Sequence, residues 1–253
     1  MKKIVLSLFL LGCSVGVFGK DPGVIAHRGH WKVENSTQNS MSSLKNALSI
    51  KAYGSELDVY ITTDGKVVLF HDSSINGKRI DDMTYAQTQE IKLSNGEALP
   101  LLTDVLKEAD KQNKTKLIIE IKPHDTQQKE NAAVDAVLDL VHNAKMEKKV
   151  EYISFSRNIC ERLIEKDSRA KVAYLGGELT PQQLSDLGYS GLDYHIGTMR
   201  AHEDWFSEAK KLGLTVNVWT VDDEENMRWL IDKGADYITT NEPEVLQRIL
   251  KDR

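Results

Sequence analysis

The sequence predicts a (β/α)8 barrel, and three observations lead to this fold class. Strand-like and helix-like segments alternate along the chain, and the strand candidates number eight, which is the number that closes a parallel barrel. No Pro/Gly/Ser-rich linker interrupts the alternation, and 253 residues fit one large barrel domain. An open doubly wound sheet is the alternative, but the Gly-rich phosphate-binding turn expected after its first strand is missing.

The strand candidates are short segments rich in β-branched and other apolar residues. They cover residues 24–27, 56–61, 117–121, 151–155, 172–175, 191–194, 215–220 and 237–240. Between them, apolar residues recur at the spacing of amphipathic helices. Residues 66–70 are predicted to return from the second strand as a hairpin, and residues 73–105 to form an irregular insertion with one helix near 85–91.

A polar segment, Glu34-Asn35-Ser36, follows the first strand and precedes a helical pattern. Asn35, with Gln38 three residues later, predicts a capping-box variant at the start of that helix. We interpret this segment as structural.

The N-terminal residues predict a secretory signal. Lys2 and Lys3 precede an apolar run, 4–11, that only Ser7 interrupts, and the run is too short to span a bilayer permanently. We predict a signal peptide at 1–19 and a single domain at 20–253, in an exported bacterial protein without an integral membrane span. Residues 10–13, Leu-Leu-Gly-Cys, favour a lipoprotein signal that ends before Cys13, which would then carry the lipid anchor. Ordinary cleavage before Lys20 gives a periplasmic protein without an anchor.

The domain that remains is acidic. Removing Lys2 and Lys3 from the 33 Lys and Arg leaves 31 against 38 Asp and Glu, a net charge of −7. This balance, without a cluster of cations, argues against nucleic acid as a partner. Cys160 is the only cysteine besides Cys13, so no internal disulfide is expected, and its position in a predicted helix indicates a small buried side chain.

The segment 55–72, SELDVYITTDGKVVLFHD, predicts a β-hairpin that gathers polar side chains. If Asp64-Gly65 forms a two-residue turn, paired residue numbers sum to 129 and Asp58 lies opposite His71. Directly opposed residues have Cβ atoms about 5 Å apart. Glu56 lies two residues before Asp58 and therefore points to the same face. Two carboxylates and one imidazole are expected to converge.

Three acidic residues are predicted at the mouth of the barrel, where active sites of this fold lie. Glu56 and Asp58 belong to the second strand and Glu120 to the third. Three neighbouring carboxylates repel one another unless a positive group lies between them, and Mg²⁺ or Ca²⁺ prefers such oxygen ligands. The alternative is a network of ion pairs with Arg28 and Lys122. We predict one divalent cation, Mg²⁺ or Ca²⁺, as the cofactor; zinc is disfavoured because no His/Cys cluster exists.

Other strand ends supply groups for acid–base chemistry and anion binding. His27 and His71 reach one rim from different strands, as suits a general acid and a general base. Arg28 and Lys122 supply positive charge for a phosphate, and Trp219 offers an apolar wall for a small organic group. Together with the metal site, these groups suggest phosphoryl-group chemistry.

Several spaced motifs resemble the glycerophosphodiester phosphodiesterase family, in order and over nearly the whole mature chain. The motifs are VIAHRG, ENST, SELDVYITTDGKVVLFHD, LPLLTDVL, LIIEIK, ISFS, VNVWTV and ADYITTNEP. Three residues depart from the common family pattern: Trp31, Val33 and Asn241.

The resemblance implies a (β/α)8 hydrolase that converts glycerophosphodiesters, which are small molecules, to glycerol 3-phosphate and an alcohol. It also implies that the substrate's own glycerol 2-hydroxyl attacks phosphorus, and that water then opens the cyclic phosphate. The roles it implies match those above: His27 and His71 as acid and base, Glu56, Asp58 and Glu120 as metal ligands, and Arg28 and Lys122 on the phosphate.

Three other hypotheses remain open. A phospholipase-type phosphodiesterase on the same barrel would act at a membrane surface. A glycoside hydrolase would use Glu56 and Glu120 as paired carboxylates, which requires a separation of about 5 to 9.5 Å without a metal between them. A binding protein that has kept the barrel mouth without catalysis cannot be rejected from the fold alone.

Overall fold

The computed structural model describes residues 20–253, so the predicted signal peptide at 1–19 and Cys13 lie outside the described residues. Within 20–253, none of the helices combines the length and the apolar character needed to cross a bilayer.

Eight parallel strands form a closed barrel, which confirms the predicted fold. The strands in chain order are β1 (Gly23–Ala26), β2 (Gly54–Ile61), β3 (Val67–Leu69), β4 (Ser74–Ile75), β5 (Lys78–Arg79), β6 (Lys116–Ile121), β7 (Val150–Ser154), β8 (Val172–Tyr174), β9 (Gly191–His195), β10 (Thr215–Trp219) and β11 (Tyr237–Thr240). The barrel order is β1-β2-β6-β7-β8-β9-β10-β11, and β11 pairs with β1 to close the ring. Strand β3 lies antiparallel to β2 as the return arm of the hairpin, and β4 and β5 form a separate small hairpin.

Helices surround the barrel. They are α1 (Met41–Ser49), α2 (Tyr85–Gln89), α3 (Leu102–Ala109), α4 (Gln127–Asn143), α5 (Arg157–Lys166), α6 (Pro181–Asp186), α7 (Ile196–Ala201), α8 (Asp204–Leu212), α9 (Glu224–Lys233) and α10 (Pro243–Lys251). A large core cluster fills the layer between these helices and the strands, and a smaller one, which includes Ile25, Ile118 and Ile153, packs inside the barrel.

The insertion after β3 is shorter than predicted. Leu102, Val105, Leu106 and Ala109 are buried on one face of α3, and the 3, 1 and 3 residue steps between them are those of an amphipathic helix. Helix α3 is therefore the crossover helix between β2 and β6, and the predicted insertion end at Val105 was wrong. The predicted helix near 85–91 is α2.

The hairpin register differs from the predicted one. Tyr60 pairs with Val68, and the Phe70 amide donates to the Asp58 carbonyl at 3.1 Å. Paired numbers therefore sum to 128, Asp58 lies opposite Phe70, and the predicted pairing of Asp58 with His71 was wrong.

A three-residue loop causes this shift. The Thr62 amide donates to the Lys66 carbonyl at 2.8 Å, and the Gly65 amide donates to the Thr62 carbonyl at 3.0 Å. Gly65 has a φ of +76°, the left-handed conformation that follows a type I turn in three-residue hairpin loops. Strand β3 ends at Leu69, so the position of His71 depends on the following loop rather than on strand pleating.

The predicted cap of the first helix was also wrong. Ser40 is the N-cap of α1, and its side chain and that of Ser43 form a reciprocal capping box. Asn35 instead lies in the preceding loop with a φ of +58°, and Gln38 accepts a hydrogen bond from Arg28 Nη1 at 2.6 Å. A serine that begins the helical pattern directly was the better cap, because its hydroxyl reaches the N3 amide.

Candidate active site

A cavity of about 190 Å³ opens at the C-terminal ends of the barrel strands. Seven of the eight predicted site residues line it: His27, Arg28, Glu56, His71, Glu120, Lys122 and Trp219. The eighth, Asp58, is buried and contacts two of the seven, Arg28 and Lys122. The structure thus brings all eight residues together, and His71 reaches the cavity from the loop after β3 despite the changed register.

The three carboxylates form one buried cluster. Each of Glu56, Asp58 and Glu120 offers an oxygen within 4.8 Å of the others, and all three are buried. The barrel pairing explains the cluster, because Asp58 on β2 is in register with Glu120 on β6. Glu56 lies two residues earlier on β2 and points to the same side of the strand.

Two cations contact this cluster without balancing it. Lys122 Nζ lies 2.7 Å from Glu120 Oε1 and 3.3 Å from Asp58 Oδ1, and Arg28 Nε lies 3.6 Å from Asp58 Oδ2. The ion pairs considered as an alternative are therefore present. Glu56 remains outside them: within residues 20–253 its Oε1 is buried and has no hydrogen-bond partner.

The pKa values of the acids reflect this imbalance. Burial, together with the charges of Asp58 and Glu120, raises the pKa of Glu56 well above its usual range. Burial and Asp58 likewise raise the pKa of Glu120 to about 8, although Lys122 opposes the shift. Burial alone would raise the pKa of Asp58, but Lys122 and other positive groups outweigh it and the pKa lies below the usual value. A bound divalent cation would lower all three by favouring the ionised forms.

The donor set therefore fits a hard divalent cation. Glu56, Asp58 and Glu120 supply only oxygen ligands, as Mg²⁺ and Ca²⁺ prefer, and the unpartnered Oε1 of Glu56 is an acceptor free for coordination.

His27 is held in one orientation by Asn241. Its Nδ1 lies 2.9 Å from Asn241 Oδ1, and Trp31 Nε1 donates to the same oxygen at 3.0 Å. The Asn241 amide nitrogen donates to Asp222 Oδ2 at 2.8 Å, which fixes the amide orientation. Since Asn241 Oδ1 can only accept, His27 carries its proton on Nδ1 and leaves Nε2 unprotonated, 4.0 Å from Glu56 Oε2.

Burial, helped by the charge of Arg28, lowers the pKa of His27 to about 4, although the bond to Asn241 opposes the shift. His27 is therefore neutral near pH 7 and able to accept a proton. The sequence reasoning noticed Asn241 and Trp31 only as departures from the family pattern and missed Asp222 altogether. The Thr-Asn pair at the end of β11 was the available signal, because it follows a strand at the barrel mouth.

His71 has a different environment. Its side chain is 38% exposed, and Nδ1 lies 2.8 Å from Asp72 Oδ1. A carboxylate accepts and does not donate, so Asp72 holds the proton of a neutral His71 ring on Nδ1. The two histidines of the cavity thus differ in burial and in partner.

The backbone after β1 is shaped by close packing. Arg28 has a φ of +56°, and its amide donates to Glu56 Oε2 at 2.7 Å. Gly29 has a φ of +78°, and a Cβ atom there would lie 2.5 Å from Ser43 Oγ. Asn39, which the sequence reasoning missed, donates from Nδ2 to Asp58 Oδ2 at 2.8 Å and accepts from the Asp58 amide at 3.0 Å. The His-Arg-Gly sequence therefore sets a tight turn against the buried acids.

The opposite wall of the cavity is largely apolar. Trp219 contacts Phe155 edge to face, with ring centroids 5.6 Å apart, and Leu175 and Phe155 line the cavity beside it. Trp219 Nε1 donates to the Asp193 backbone carbonyl at 2.9 Å, and the Asp193 side chain also lines the cavity. The sequence reasoning named Trp219 but missed Phe155 and Asp193.

Comparisons with known proteins agree on one family. The profile of the Glycerophosphoryl diester phosphodiesterase family matches residues 27–245. A glycerophosphodiester phosphodiesterase from Caldanaerobacter subterraneus is 28% identical and covers 90% of this chain and 97% of its own. The crystal structure of a glycerophosphodiester phosphodiesterase from Parabacteroides distasonis superposes with a TM-score of 0.91 at 47% identity, over 93% of this chain and 99% of that chain.

A more distant similarity supports the fold alone. A phosphodiesterase from Oleispira antarctica, solved in complex with sn-glycerol-3-phosphate, superposes with a TM-score of 0.81 at 20% identity, over 91% of this chain and 97% of its own.

Because the family profile extends from His27 at the end of β1 to Val245 in α10, the chain belongs to the glycerophosphoryl diester phosphodiesterase family.

Proposed function

We propose that this protein hydrolyses glycerophosphodiesters to glycerol 3-phosphate and an alcohol, with one divalent cation and a pair of histidines. The single observation that carries the proposal is the buried cluster of Glu56, Asp58 and Glu120 beside His27 and His71 in one cavity. Family membership and the 47% identical phosphodiesterase of known structure support the reaction class.

The cation is held by Glu56, Asp58 and Glu120 in this proposal. When bound, a divalent cation neutralises negative charge on a phosphate and polarises its P–O bonds. The chain's own contribution is to keep three carboxylates together before the cation binds. Lys122 and Arg28 reduce the repulsion between those carboxylates, and Asn39 orients Asp58.

The two histidines divide the proton transfers. His27, neutral because of burial, accepts the proton of the attacking hydroxyl at Nε2 while Asn241 holds Nδ1–H. His71, with Asp72 on its Nδ1, donates a proton to the leaving alcohol oxygen. In the first step a P–O bond to the substrate's 2-hydroxyl forms, the P–O bond to the alcohol breaks, and a cyclic phosphate remains for water to open.

Arg28 and Lys122 face the phosphate in this account, and Trp219 provides part of the apolar wall. Both cations already contact Asp58. In this proposal each cation therefore lies between a metal ligand and the phosphate oxygens. Arg28 is the better candidate for a bidentate contact because its guanidinium is planar.

The glycoside hydrolase and the non-catalytic binding protein have lost support, because the chain belongs to a phosphodiesterase family. A phospholipase-type activity remains the second candidate. The exposed Phe155 at the cavity rim, 40% accessible, is the observation in its favour, since an apolar rim suits a lipid surface.

The test is a panel of glycerophosphodiesters with choline, ethanolamine or glycerol as the alcohol, assayed for glycerol 3-phosphate with Mg²⁺ and Ca²⁺ separately. An intact phospholipid presented in vesicles, assayed for the released alcohol, serves as the comparison. We expect turnover of the deacylated esters. Turnover confined to the intact phospholipid would replace the proposal with the phospholipase.

We further propose that the protein is exported, with residues 1–19 as its signal and Cys13 as the site of a lipid anchor. The support comes from the sequence: two lysines, an apolar run and Leu-Leu-Gly-Cys at 10–13. Labelled palmitate should enter the wild-type protein and not the Cys13→Ala variant in a bacterial host. A mature protein that begins at Lys20 would indicate ordinary cleavage, and one that keeps Met1 would contradict export.

A further inference from the structure

The cavity has two chemically different halves. Strands β1, β2 and β6, with the residues directly after them, supply the acids, the cations and His27. Strands β7, β8 and β10, with the residues directly after them, supply Phe155, Leu175 and Trp219. A phosphate bound on the charged half therefore directs one of its organic groups toward the second half. Among the described residues, Asp193 on β9 is the one acidic residue that lines the cavity on that side.

Asp193 has no counterion among residues 20–253. Its side chain is 2% exposed, Oδ2 accepts from Asn217 Nδ2 at 2.9 Å, and Oδ1 is buried without a hydrogen-bond partner in the described chain. Burial raises the pKa of Asp193 to about 7, with Asn217 as the group that opposes the shift. A buried carboxyl in this state is costly unless a further group satisfies it.

Another acid inside the barrel shows what a purely structural carboxylate looks like. Glu151 forms an ion pair with Lys116 and accepts from the Tyr53 hydroxyl at 3.1 Å. Those partners come from the strand ends away from the cavity, where side chains serve stability. Within residues 20–253 Asp193 lacks such partners; it lines the cavity and also a smaller inner pocket that Glu151 shares.

Neighbouring side chains hold Asp193 in place. Asn217 Nδ2 also contacts Thr239 Oγ1 at 2.9 Å, and the Thr239 hydroxyl lies 3.3 Å from Asn217 Oδ1. Trp219 Nε1 donates to the Asp193 backbone carbonyl at 2.9 Å. The carboxyl is therefore positioned by Asn217 on β10, which Thr239 on β11 holds in turn, while Trp219 on β10 fixes the Asp193 backbone.

We propose that Asp193 accepts a hydrogen bond from a hydroxyl of the substrate's glycerol group and so selects polyol phosphates over simple alkyl phosphates. The proposal rests on the proposed phosphodiesterase function and adds the residue that recognises the glycerol group. A hydroxyl donor suits this position because Oδ1 can accept a hydrogen bond and no cation of the described chain pairs with the carboxylate. The apolar wall of Trp219, Phe155 and Leu175 suits the carbon chain of the same group.

The experiment measures binding rather than turnover. Isothermal titration with Mg²⁺ or Ca²⁺ present gives the affinity for glycerol 3-phosphate and for ethyl phosphate, which has the phosphate but no hydroxyl. Asp193→Leu removes the acceptor, and Asp193→Asn keeps the shape but removes the charge. Glu130→Gln is the matched control, because Glu130 is also a buried acid but bonds Ser156 and Asn158 away from the cavity.

We expect Asp193→Leu to weaken glycerol 3-phosphate binding by about tenfold to a hundredfold, the range for a hydrogen bond to a charged group. Asp193→Asn should weaken it by about five- to tenfold, because a neutral acceptor bonds less strongly. The affinity for ethyl phosphate should change less than twofold in both variants. Glu130→Gln should leave the affinity for both ligands unchanged. Thermal unfolding checks that each variant is folded. If Asp193→Leu does not fold, the affinities of Asp193→Asn test the proposal.

Two results would overturn the proposal. One is an equal loss of affinity for both phosphates, which would indicate a structural role for Asp193. The other is an unchanged glycerol 3-phosphate affinity in the folded variants, which would show that Asp193 does not bond a hydroxyl of the glycerol group. Glycerol 3-phosphate release by the wild-type protein is measured in parallel, so that a failure of the phosphodiesterase function itself is recognised separately.

Discussion

Replacing Glu56 with Gln should distinguish a metal site from a simple network of ion pairs as the explanation of the acid cluster. Within residues 20–253 Glu56 Oε1 is buried without a hydrogen-bond partner, and burial and its acidic neighbours raise the pKa of Glu56. A raised pKa in the folded state means that Glu56 stabilises the fold at low pH and that this contribution is lost as the pH rises through the folded value. Without metal at pH 7, Glu56→Gln should therefore unfold at the same temperature as the wild type or higher.

With metal the order should reverse. At a cation concentration one hundred times the dissociation constant, binding stabilises a protein by about 2.7 kcal/mol. For a domain of this size that corresponds to a rise in melting temperature of about 5–11 °C. Loss of one of three ligands should weaken binding by about a hundredfold, since even residues behind the ligands change affinity by 10- to 100-fold. The same cation concentration then equals the dissociation constant, and the shift falls to about 1 °C.

Differential scanning calorimetry with and without Mg²⁺ or Ca²⁺ measures both effects. Glu130→Gln controls for the loss of a buried acid elsewhere in the molecule. A full metal-induced shift in Glu56→Gln would refute its assignment as a ligand. No shift in the wild type with either cation would leave the ion-pair network as the better explanation of the cluster.

Further predictions concern the histidines and the turn after β1. His27→Ala and His71→Ala should each lower kcat by about 10²- to 10⁴-fold, whereas His142→Ala, an exposed histidine outside the cavity, should keep full activity; equal rates in all three would contradict the acid–base roles. Burial lowers the pKa of His27 to about 4, so the imidazole is mostly neutral above that pH and the acidic limb of the kcat/KM profile should lie near pH 4. An acidic limb at pH 6.5 that disappears in His27→Ala would show that the pKa of His27 is not lowered. Gly29→Ala should destabilise the protein by at least 1–3 kcal/mol in denaturant unfolding, because the left-handed φ and the 2.5 Å approach to Ser43 Oγ leave no room for Cβ; an unchanged midpoint would contradict this packing.

Much of the fold could be predicted because the alternation of strand-like and helix-like segments is visible in the sequence and determines the barrel topology. The eight predicted barrel strands are all present, with ends that differ by no more than two residues. The mouth residues followed from the same logic, since polar residues at strand ends of a parallel barrel must share one rim. Helix α3 was missed even though its apolar spacing is visible in the sequence, because the segment was interpreted as part of an insertion.

Register and capping were less predictable because each depends on one local conformation. The hairpin shifted by one residue when Gly65 took the left-handed position of a three-residue loop. A two-residue turn at Asp64-Gly65 has the same sequence signature. Ser40 rather than Asn35 caps α1 because the loop before it turns back on Arg28 through Asn39.

Partners that act at a distance were beyond the sequence alone. Asn241 reaches His27 across 214 positions of the chain, and Asn39 reaches Asp58 from the loop after β1. Asp193 lies within a short strand, as several other acids do, and only the cavity distinguishes it. These contacts depend on which strands the barrel makes neighbours, and no periodicity in the sequence reports them.

Phosphorus NMR of glycerophosphocholine hydrolysis, with Mg²⁺ or Ca²⁺ and then with excess chelator, tests the central claim most directly. We predict that the glycerol 3-phosphate signal grows while the cation is present, stops after chelation and resumes when the cation is restored. Undiminished hydrolysis in chelator would contradict the metal role of Glu56, Asp58 and Glu120. No glycerol 3-phosphate with either cation, from any ester of the panel, would contradict the function itself.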